Sequence, residues 1–347
     1  MIFHNLTIKE VTRVTPQAVE IWFDIPSELA DEFKYTSGQY LTLKADINGS
    51  EVRRAYSISS TSGDAGISVV VKQVEHGVFS NYAMKLKAGE MLAVAAPEGL
   101  FVLEESAESK TFLAVAAGSG ITPIISIVKS ALKSSAEHKV ALIYGNQSVA
   151  QTIYYEQLND LKDAYPDRFI LKYCFSREER DEALFGRINR GNLNFFLKQD
   201  CKGWEFDTAF LCGPEEMIHE VTDNLVEKEY LPKDEIKFEL FSASDAKVEI
   251  TEDSHLSEIE VVLDDEEMSF TMKRDENLLD VMLRNDIDAP YSCQGGICSS
   301  CICLIEEGDV MLAKNSILTD GELEEGYSLA CQAYPKSAKV RLNFDEA

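Results

Sequence analysis

The first hundred residues alternate apolar and polar side chains in short runs that end at Gly, Pro or Asn. The clearest runs cover residues 19–23, 40–45, 67–74 and 91–95. Alternation with a period of two is typical of strands that bury one face and expose the other. The pattern predicts an antiparallel β-barrel or sandwich over residues 1–104.

The period changes after residue 111, where continuous apolar runs begin to alternate with helix-type patterns. The apolar runs cover residues 112–117, 140–144, 169–175, 208–212 and 236–240, and the helical patterns cover 123–132 and 215–228. Fully apolar strands separated by helices are typical of a parallel sheet with both faces covered. The sequence therefore predicts a parallel-sheet α/β domain over residues 105–243.

A polar, acidic stretch with no apolar period follows at residues 244–257 and predicts a linker. Beyond it, two apolar runs at 259–263 and 268–272 flank the acidic turn 264–267 as a hairpin. A short helix at 277–284 and strands at 302–305 and 340–344 complete the pattern. The sequence predicts a small α+β domain over residues 258–347.

Composition and charge narrow the possible functions. The chain has 347 residues, of which 45% are hydrophobic, and a formal net charge of -27. Nucleic acid and anionic membranes bind cationic surfaces, so we expect neither as a partner. Residues 1–7 lack a basic segment followed by an apolar one, and no run of about 18 apolar residues occurs. We expect a cytoplasmic protein with reduced thiols.

Four cysteines near the end of the chain have a spacing with chemical meaning. Cys293, Cys298, Cys301 and Cys331 follow the C-x4-C-x2-C pattern with a distant fourth member, the plant-type [2Fe-2S] spacing. Two irons need four thiolates, and a loop with adjacent glycines at 295 and 296 can take positive φ and fold closely around them. The sequence predicts these four cysteines as ligands of a [2Fe-2S] cluster.

A four-cysteine zinc site and disulfides are the alternatives. Structural zinc usually takes two C-x2-4-C pairs, and here only Cys298 and Cys301 form one. No histidine occupies a ligand position in the loop, which argues against a Rieske centre. Cys303 lies in an apolar run and is expected to be a packed thiol rather than a ligand.

Two motifs in the first domain suit a flavin nucleotide. Arg54-x-Tyr56-Ser57 is followed by Gly77-x-x-Ser80 one strand later. An arginine, a hydroxyl and backbone N–H groups suit a pyrophosphate, and a tyrosine ring can stack on a flavin. Each motif alone is weak, because a tyrosine on a strand is more often a packing residue.

The second domain carries a candidate phosphate loop. Gly118-Ser-Gly120-Ile-Thr122-Pro follows a buried-type strand and opens a helix, an arrangement that presents N–H groups and the positive helix end to a phosphate. It is not the G-x-G-x-x-G fingerprint, and a tight strand-to-helix turn is the alternative.

Two further strand ends in this domain carry candidate residues. Cys212-Gly-Pro ends an apolar run at the edge where α/β domains bind ligands, and its thiol could flank a nicotinamide. Glu239 and Phe241 end the next run. Buried cysteines are common in protein cores, and strand ends often carry such residues by chance.

In content and order these motifs resemble the ferredoxin-NADP reductase superfamily. With the cysteine loop at its C-terminal end, the chain resembles the reductases of multicomponent oxygenases, and the likeness extends through residues 38–44, 142–146 and 326–333. The resemblance implies an FAD-binding barrel, an NAD(P)-binding domain and a β-grasp ferredoxin domain. It also implies electron transfer from NAD(P)H through FAD and the [2Fe-2S] cluster to the oxygenase component of a monooxygenase.

The resemblance also implies roles for individual residues. The Gly77-x-x-Ser80 motif and Arg54 would hold the FAD phosphates, Tyr56 would stack on the isoalloxazine and Ser57 would approach flavin N5. The nicotinamide nucleotide would be contacted by a second group, namely Cys212, Glu239, Phe241, Gly118, Gly120 and Thr122.

The choice of nucleotide depends on the segment after residue 175. Ser176-Arg177 is a pair that meets the 2′-phosphate in relatives that use NADPH, and Arg180 and Arg187 lie nearby. Four acidic residues at 178, 179, 181 and 182 could instead prefer a ribose hydroxyl and hence NADH. We expect NADPH, because clustered arginines suit a phosphate dianion.

Two alternatives to the monooxygenase reductase remain open from the sequence alone. The same redox chain could serve a ring- or steroid-hydroxylating oxygenase, because no motif encodes the final electron acceptor. The chain could also be a non-enzymatic iron–sulfur carrier in which the α/β domain is only a scaffold.

Overall fold

The computed structural model describes residues 1–104, 106, 108–241 and 255–347. Residues Phe3–Phe241 form one compact unit, and the described residues from 255 to 347 belong to a second. The predicted linker lies mostly outside the described residues. Its last two residues are part of a strand that begins at Leu256.

An antiparallel six-stranded sheet forms the first part of the first unit. Its strands are Phe3–Thr15 (β1), Ala18–Asp24 (β2), Tyr40–Ile47 (β3), Ser50–Ser57 (β4), Ile67–Lys72 (β5) and Met91–Ala95 (β6). They lie in the order β4-β3-β6-β1-β2-β5. A bridge between Ile58 and Val69 joins the two ends of this order and closes the sheet into the predicted barrel.

A short helix, Val78–Ala83 (α1), follows β5. The apolar run at 67–74 had suggested a longer strand, but the strand ends at Lys72. Val74 is 60% exposed, and its carbonyl accepts a hydrogen bond from Gly77 N, which turns the chain into α1. The turn thus places the Gly77-x-x-Ser80 motif at the start of a helix.

A parallel six-stranded sheet forms the second part of the same unit. Its strands are Thr111–Ala117 (β7), Lys139–Asn146 (β8), Phe169–Phe175 (β9), Leu184–Phe185 (β10), Thr208–Cys212 (β11) and Ile236–Glu239 (β12). The helices are Ile121–Ser134 (α2), Tyr155–Ala164 (α3), Arg190–Gln199 (α4) and Glu215–Glu227 (α5).

The strand order β10-β9-β8-β7-β11-β12 has a consequence for ligand binding. The chain reverses its direction of winding between β7 and β11, which are neighbours in the sheet. Open α/β sheets bind ligands at such a switch point, beyond the carboxyl ends of the strands. The two loops that meet there begin at Gly118 and Gly213.

The second unit is a mixed five-stranded sheet with a two-stranded ribbon. The strands are Leu256–Leu263 (β13), Glu266–Lys273 (β14), Ile302–Glu307 (β15), Val310–Leu312 (β16), Tyr327–Leu329 (β17), Ala333–Pro335 (β18) and Lys339–Asn343 (β19), and the helices are Leu278–Arg284 (α6) and Asp320–Glu324 (α7). The larger sheet has the order β14-β13-β19-β15-β17 and the ribbon pairs β16 with β18. β13 and β19 are parallel, whereas the other neighbours are antiparallel.

The hairpin between β13 and β14 is tighter than the sequence suggested. Only Asp264 and Asp265 form the turn, both with positive φ, and Leu263 pairs with Glu266. Positive φ at both central residues is the two-residue turn that best fits the twist of a hairpin. The Asp345 carboxylate accepts hydrogen bonds from both turn N–H groups, at 2.8 Å each.

Among the described residues, no helix is both long enough and apolar enough to cross a membrane.

Candidate functional site

Three of the predicted site residues meet where the barrel contacts the parallel sheet. Ser57 ends β4 and donates a hydrogen bond from Oγ to Glu239 Oε2 at 3.0 Å. Glu239 ends β12, which pairs with β11 so that Glu239 lies beside Cys212. The structure therefore brings Ser57, Glu239 and Cys212 together from segments that are far apart in the sequence.

The surroundings of these groups favour their neutral forms. Burial raises the pKa of Glu239 to about 8, and the hydrogen bond from Ser57 partly opposes that rise. The pKa of the Cys212 thiol is raised well above its ordinary value by burial first and by the nearby Glu239 second. A neutral thiol and a carboxyl that titrates near neutral pH suit a site that receives an uncharged ring.

The flavin motifs of the barrel lie on neighbouring elements. Tyr56 on β4 packs its ring against Phe79 of α1, with ring centroids 5.6 Å apart, and Arg54 is exposed two residues earlier. Ser80 is buried, and its Oγ accepts a hydrogen bond from Val74 N at 3.1 Å. A Cβ on Gly77 would lie 2.4 Å from that Oγ, so glycine is needed for this turn.

The predicted phosphate loop lies at the switch point of the parallel sheet. Gly118 has φ +56°, and its carbonyl accepts a hydrogen bond from Tyr144 Oη at 2.9 Å. A Cβ on Gly120 would lie 2.1 Å from the Cys212 carbonyl oxygen, so only glycine allows the two loops this approach. Thr122 Oγ1 donates to the Ser119 carbonyl at 3.0 Å and holds the first turn of α2.

The structure adds a residue that the sequence analysis missed. Lys72, at the end of β5, places Nζ 3.5 Å from the position that a Cβ on Gly118 would take. Burial lowers the pKa of Lys72, and no ion pair joins it to a carboxylate within the described part of the chain. A half-buried cation beside a loop of backbone N–H groups is suited to a phosphate. A lone lysine at a strand end gave no sequence signal.

The residues expected to choose the nucleotide lie at the end of β9. Ser176 N and Arg177 N donate to the carbonyls of Asn146 and Gln147, which fixes the backbone of this segment against the end of β8. The Arg177 side chain is exposed. Phe241 lies just past β12 and is 39% exposed.

The four cysteines predicted as cluster ligands form two pairs. The Cys298 thiol donates to Cys293, which with N–H groups of the loop lowers the pKa of Cys293. The Cys301 thiol donates to Cys331 and lowers its pKa in the same way. In the described residues, no three His, Cys, Asp or Glu side chains are placed to hold one metal ion.

The pairing fits a two-iron cluster better than a single metal ion. A tetrahedral zinc site needs four ligands around one centre, whereas two irons take two thiolates each. Backbone N–H groups point at the sulfurs, with Gly295 N 3.3 Å from Cys293 Sγ. Such N–H contacts to ligand sulfur are what a cluster loop provides.

The backbone of the loop differs in one detail from the expectation. Gly296 has φ +68°, but Gln294 and not Gly295 supplies the other positive φ. A Cβ on Gly296 would lie 2.9 Å from the Lys314 carbonyl oxygen, which explains glycine there. Cys303 is fully buried, and its Sγ faces the Ser328 carbonyl at 3.9 Å.

Comparison with known protein families assigns a domain to each of the three regions. Residues 5–103 match the oxidoreductase FAD-binding domain, residues 114–223 the oxidoreductase NAD-binding domain, and residues 261–336 the 2Fe-2S iron–sulfur cluster binding domain.

Two relatives match along nearly the whole of both chains. The chain is 36% identical to a component of the 1,2-phenylacetyl-CoA epoxidase of Escherichia coli K12, over 99% of this chain and 98% of the relative. It is 34% identical to the ferredoxin reductase component of the 3-ketosteroid-9-alpha-monooxygenase of Rhodococcus rhodochrous, over 98% of this chain and 96% of the relative. Among solved structures, phthalate dioxygenase reductase shares the fold, with a TM-score of 0.63 at 21% identity over 99% of this chain and 98% of that one.

The fold, the sites and the matched domains define an NAD(P)H-dependent oxidoreductase that contains FAD and a [2Fe-2S] cluster. The chain belongs to the family of FAD and [2Fe-2S] reductases that includes the epoxidase and ketosteroid monooxygenase components. The predictions of fold class, cofactors and electron-transfer activity are thereby confirmed, and the alternative of a passive iron–sulfur carrier is wrong.

Proposed function

We propose that this reductase delivers electrons to the oxygenase component of a multicomponent monooxygenase, and that the oxygenase is a phenylacetyl-CoA epoxidase of phenylacetate degradation. The observation that carries the proposal is the 36% identity to the epoxidase component along essentially the whole of both chains. A steroid-hydroxylating oxygenase is the second candidate, because the ketosteroid monooxygenase component matches almost as well over the same length.

The roles of the flavin-site residues are part of the proposal. FAD, when bound, accepts two electrons from the nicotinamide and releases them singly to the cluster. Arg54 and the Gly77-x-x-Ser80 turn bind its phosphates, and Tyr56 covers one face of the ring. The Ser57 hydroxyl, whose hydrogen bond to Glu239 fixes its direction, contacts the flavin near N5.

A second set of residues binds the nicotinamide nucleotide. The loop from Gly118 to Thr122 and the ammonium of Lys72 hold the diphosphate. Cys212 and Glu239 border the nicotinamide, and Phe241 limits access to it. The four cysteines 293, 298, 301 and 331 are the cluster ligands.

The nucleotide is proposed to be NADPH. Glu178, the acidic residue nearest to Arg177, accepts hydrogen bonds from Val149 N at 2.9 Å and Arg180 Nε at 2.7 Å, and both lower its pKa. That carboxylate is therefore already bound within the protein, and its charge is offset by Arg180. Arg177 and Arg187 are exposed and form no ion pair within the described ranges, so they are available for a 2′-phosphate.

An anaerobic titration followed by reconstitution tests the whole proposal. The purified protein should show overlapping flavin and iron–sulfur absorption that bleaches with NADPH at lower concentration than with NADH. Replacing Arg177 by Ala should remove most of that preference, whereas the same change at Arg13, which is exposed on the barrel, should not.

The acceptor is decided by adding oxygenase components to the reduced protein. Turnover of phenylacetyl-CoA with the epoxidase oxygenase, and none of a ketosteroid with its oxygenase, is the expected result. Turnover only with the steroid oxygenase would establish the second candidate, and turnover with neither would reject both acceptors.

A further inference from the structure

Helix α2 contacts the barrel through a row of polar side chains. The row consists of Ser126, Ser130 and Lys133, whose spacing of four and three residues places them on one face of the helix. We call these three residues, with the barrel groups that they contact, the polar seam. The phosphate loop begins the same helix, so the seam connects the nucleotide site to the barrel.

The contact made by Ser126 is the most buried. Its side chain is 0% exposed, and Oγ donates to the Ser60 carbonyl at 2.6 Å. A helical serine usually bonds to a carbonyl of its own helix. Here the partner is three residues after Ser57, in the segment that leaves the flavin motif.

The other two contacts lie further along the helix. Ser130 Oγ lies 2.6 Å from Ser37 Oγ, next to the start of β3. Lys133 Nζ donates to Thr61 Oγ1 at 3.0 Å and lies 3.6 Å from Asp64 Oδ1. Two of the three contacts therefore hold residues 60–64, and the third holds the segment before the strand that pairs with β4.

The barrel side of the seam is itself firmly held. Ser60 Oγ accepts from Ser68 N at 3.0 Å and lies 2.9 Å from Tyr35 Oη. Thr61 N and Oγ1 both donate to Asp64, at 2.8 and 3.0 Å. Because both sides are fixed, a displacement of the helix would be transmitted to the loop that follows Ser57.

We infer that Ser126 and Ser130 are positioning residues for flavin reduction. They set the distance between the segment that follows Ser57, which we call the flavin loop, and the phosphate loop at residues 118–122. The rate of hydride transfer depends steeply on the distance between the reacting atoms, and a misplacement of about 1 Å can lower the rate by up to 100-fold. If these serines only stabilised the contact between helix and barrel, their hydrogen bonds would not need to end on the flavin loop. The inference concerns the reductase activity and does not depend on which oxygenase accepts the electrons.

The test uses the holoenzyme with FAD and cluster, mixed anaerobically with NADPH in a stopped-flow instrument. Ser126→Ala should lower the limiting rate of flavin reduction by about tenfold, with the nucleotide dissociation constant changed by less than about threefold. The long-wavelength charge-transfer absorption of the flavin–nicotinamide complex should weaken in parallel. This band reports ring contact and does not depend on turnover.

Helix α2 provides a matched control and a milder variant. Ser134 lies on the same helix, and within the residues that the structure describes its Oγ bonds only to the Ala131 carbonyl of that helix, at 3.3 Å. Ser134→Ala should therefore leave the rate and the band unchanged. Ser130→Ala removes a partly exposed hydroxyl and is the milder change. This variant should retain FAD even if Ser126→Ala loses it. It should show the same change, to a smaller degree.

Unchanged rates and absorption in Ser126→Ala and Ser130→Ala, with only a lower melting temperature, would overturn the inference and leave the seam as a stabilising contact. A wild-type protein that NADPH fails to reduce would instead contradict the nucleotide proposed above, and NADH would then replace it in the same test.

Discussion

At the scale of single residues, the chemistry of the candidate active site depends on where the fold places ordinary side chains. Glu239 is a common type of residue at the end of a strand, and Ser57 is one hydroxyl in a serine-rich segment. Their hydrogen bond forms only because the barrel and the parallel sheet bring residues 182 positions apart into contact. The sequence motifs therefore identified candidate site residues, but they could not predict which of those residues contact one another in the fold.

The carboxyl of Glu239 should make stability dependent on pH. Its pKa is raised from 4.5 to about 8, so the folded protein retains a proton that the unfolded chain releases. Stability should therefore fall as the pH rises from 4.5 to 8, by at most roughly 1.4 kcal/mol per pH unit. Glu239→Gln should remove this contribution.

Urea unfolding at pH 5 and pH 8 would measure the effect. Trp22 and Trp204, the only tryptophans of the chain, both belong to the first unit and report its unfolding by fluorescence. An equal loss of stability with pH in wild-type and Glu239→Gln protein would show that another group is responsible.

Lys72 should matter for nucleotide binding and not for flavin content. Losing a charge-assisted contact costs about 1.5 kcal/mol or more, so Lys72→Ala should weaken NADPH binding by about tenfold or more. Lys198 is an exposed lysine at the end of α4, and Lys198→Ala controls for the change in net charge. Equal NADPH dissociation constants for the two variants would exclude Lys72 from the site.

At the scale of elements, the sequence pattern predicted strand bounds best where a strand buries one face or both faces. β6, β9 and β11 occupy the predicted residues, because their apolar runs have clear ends. β1 was not predicted: only Leu6, Ile8 and Thr15 of its 13 residues are buried, so the polar face hides the alternation. Helix α4 was missed as well, since its Gly191 and asparagines weaken the helical signal.

The outer face of the second unit carries an ion-pair network centred on β19. Arg341 contacts Glu306, Glu260 and Glu267, at 2.7, 3.3 and 2.8 Å, and so connects β19 to β15, β13 and β14. Arg341→Met should lower the melting temperature of this unit by more than Arg284→Met, because in the described part of the chain Arg284 pairs with Glu276 alone.

The two arginine variants differ also in their response to salt. The decrease in melting temperature caused by Arg341→Met should be smaller in 1 M NaCl, where the Debye length is about 3 Å. Thermal unfolding followed by the visible circular dichroism of the cluster would measure both effects. A loss unaffected by salt would mean that the side chain acts by packing rather than by charge.

At the scale of the whole molecule, each unit should support its own half-reaction. The first unit should reduce the flavin with NADPH, and the second should pass electrons through the cluster to the oxygenase. Cys331→Ser removes one of the four proposed ligands and should abolish the iron–sulfur spectrum and oxygenase turnover. NADPH should still bleach the flavin, since the residues proposed to bind flavin and nucleotide all belong to the first unit.

Cys303 gives the matched control for the ligand set. Like the proposed ligands Cys298, Cys301 and Cys331 it is buried, and its Sγ donates to the Ser328 carbonyl. Cys303→Ala should keep iron content and spectrum, whereas an intact cluster in Cys331→Ser would show that the ligands have been assigned wrongly.

The strand order of the second unit also constrains when it can fold. β19 is the last strand in the sequence, yet it lies in the sheet between β13 and β15. Contacts between distant parts of a chain form slowly, and a sheet cannot close around a strand that has not yet been synthesised. The first unit can therefore fold on the ribosome while the cysteine loop still lacks its supporting sheet. Iron and sulfide insertion then follows synthesis, and a shortage of either element should leave the flavin half of the enzyme intact.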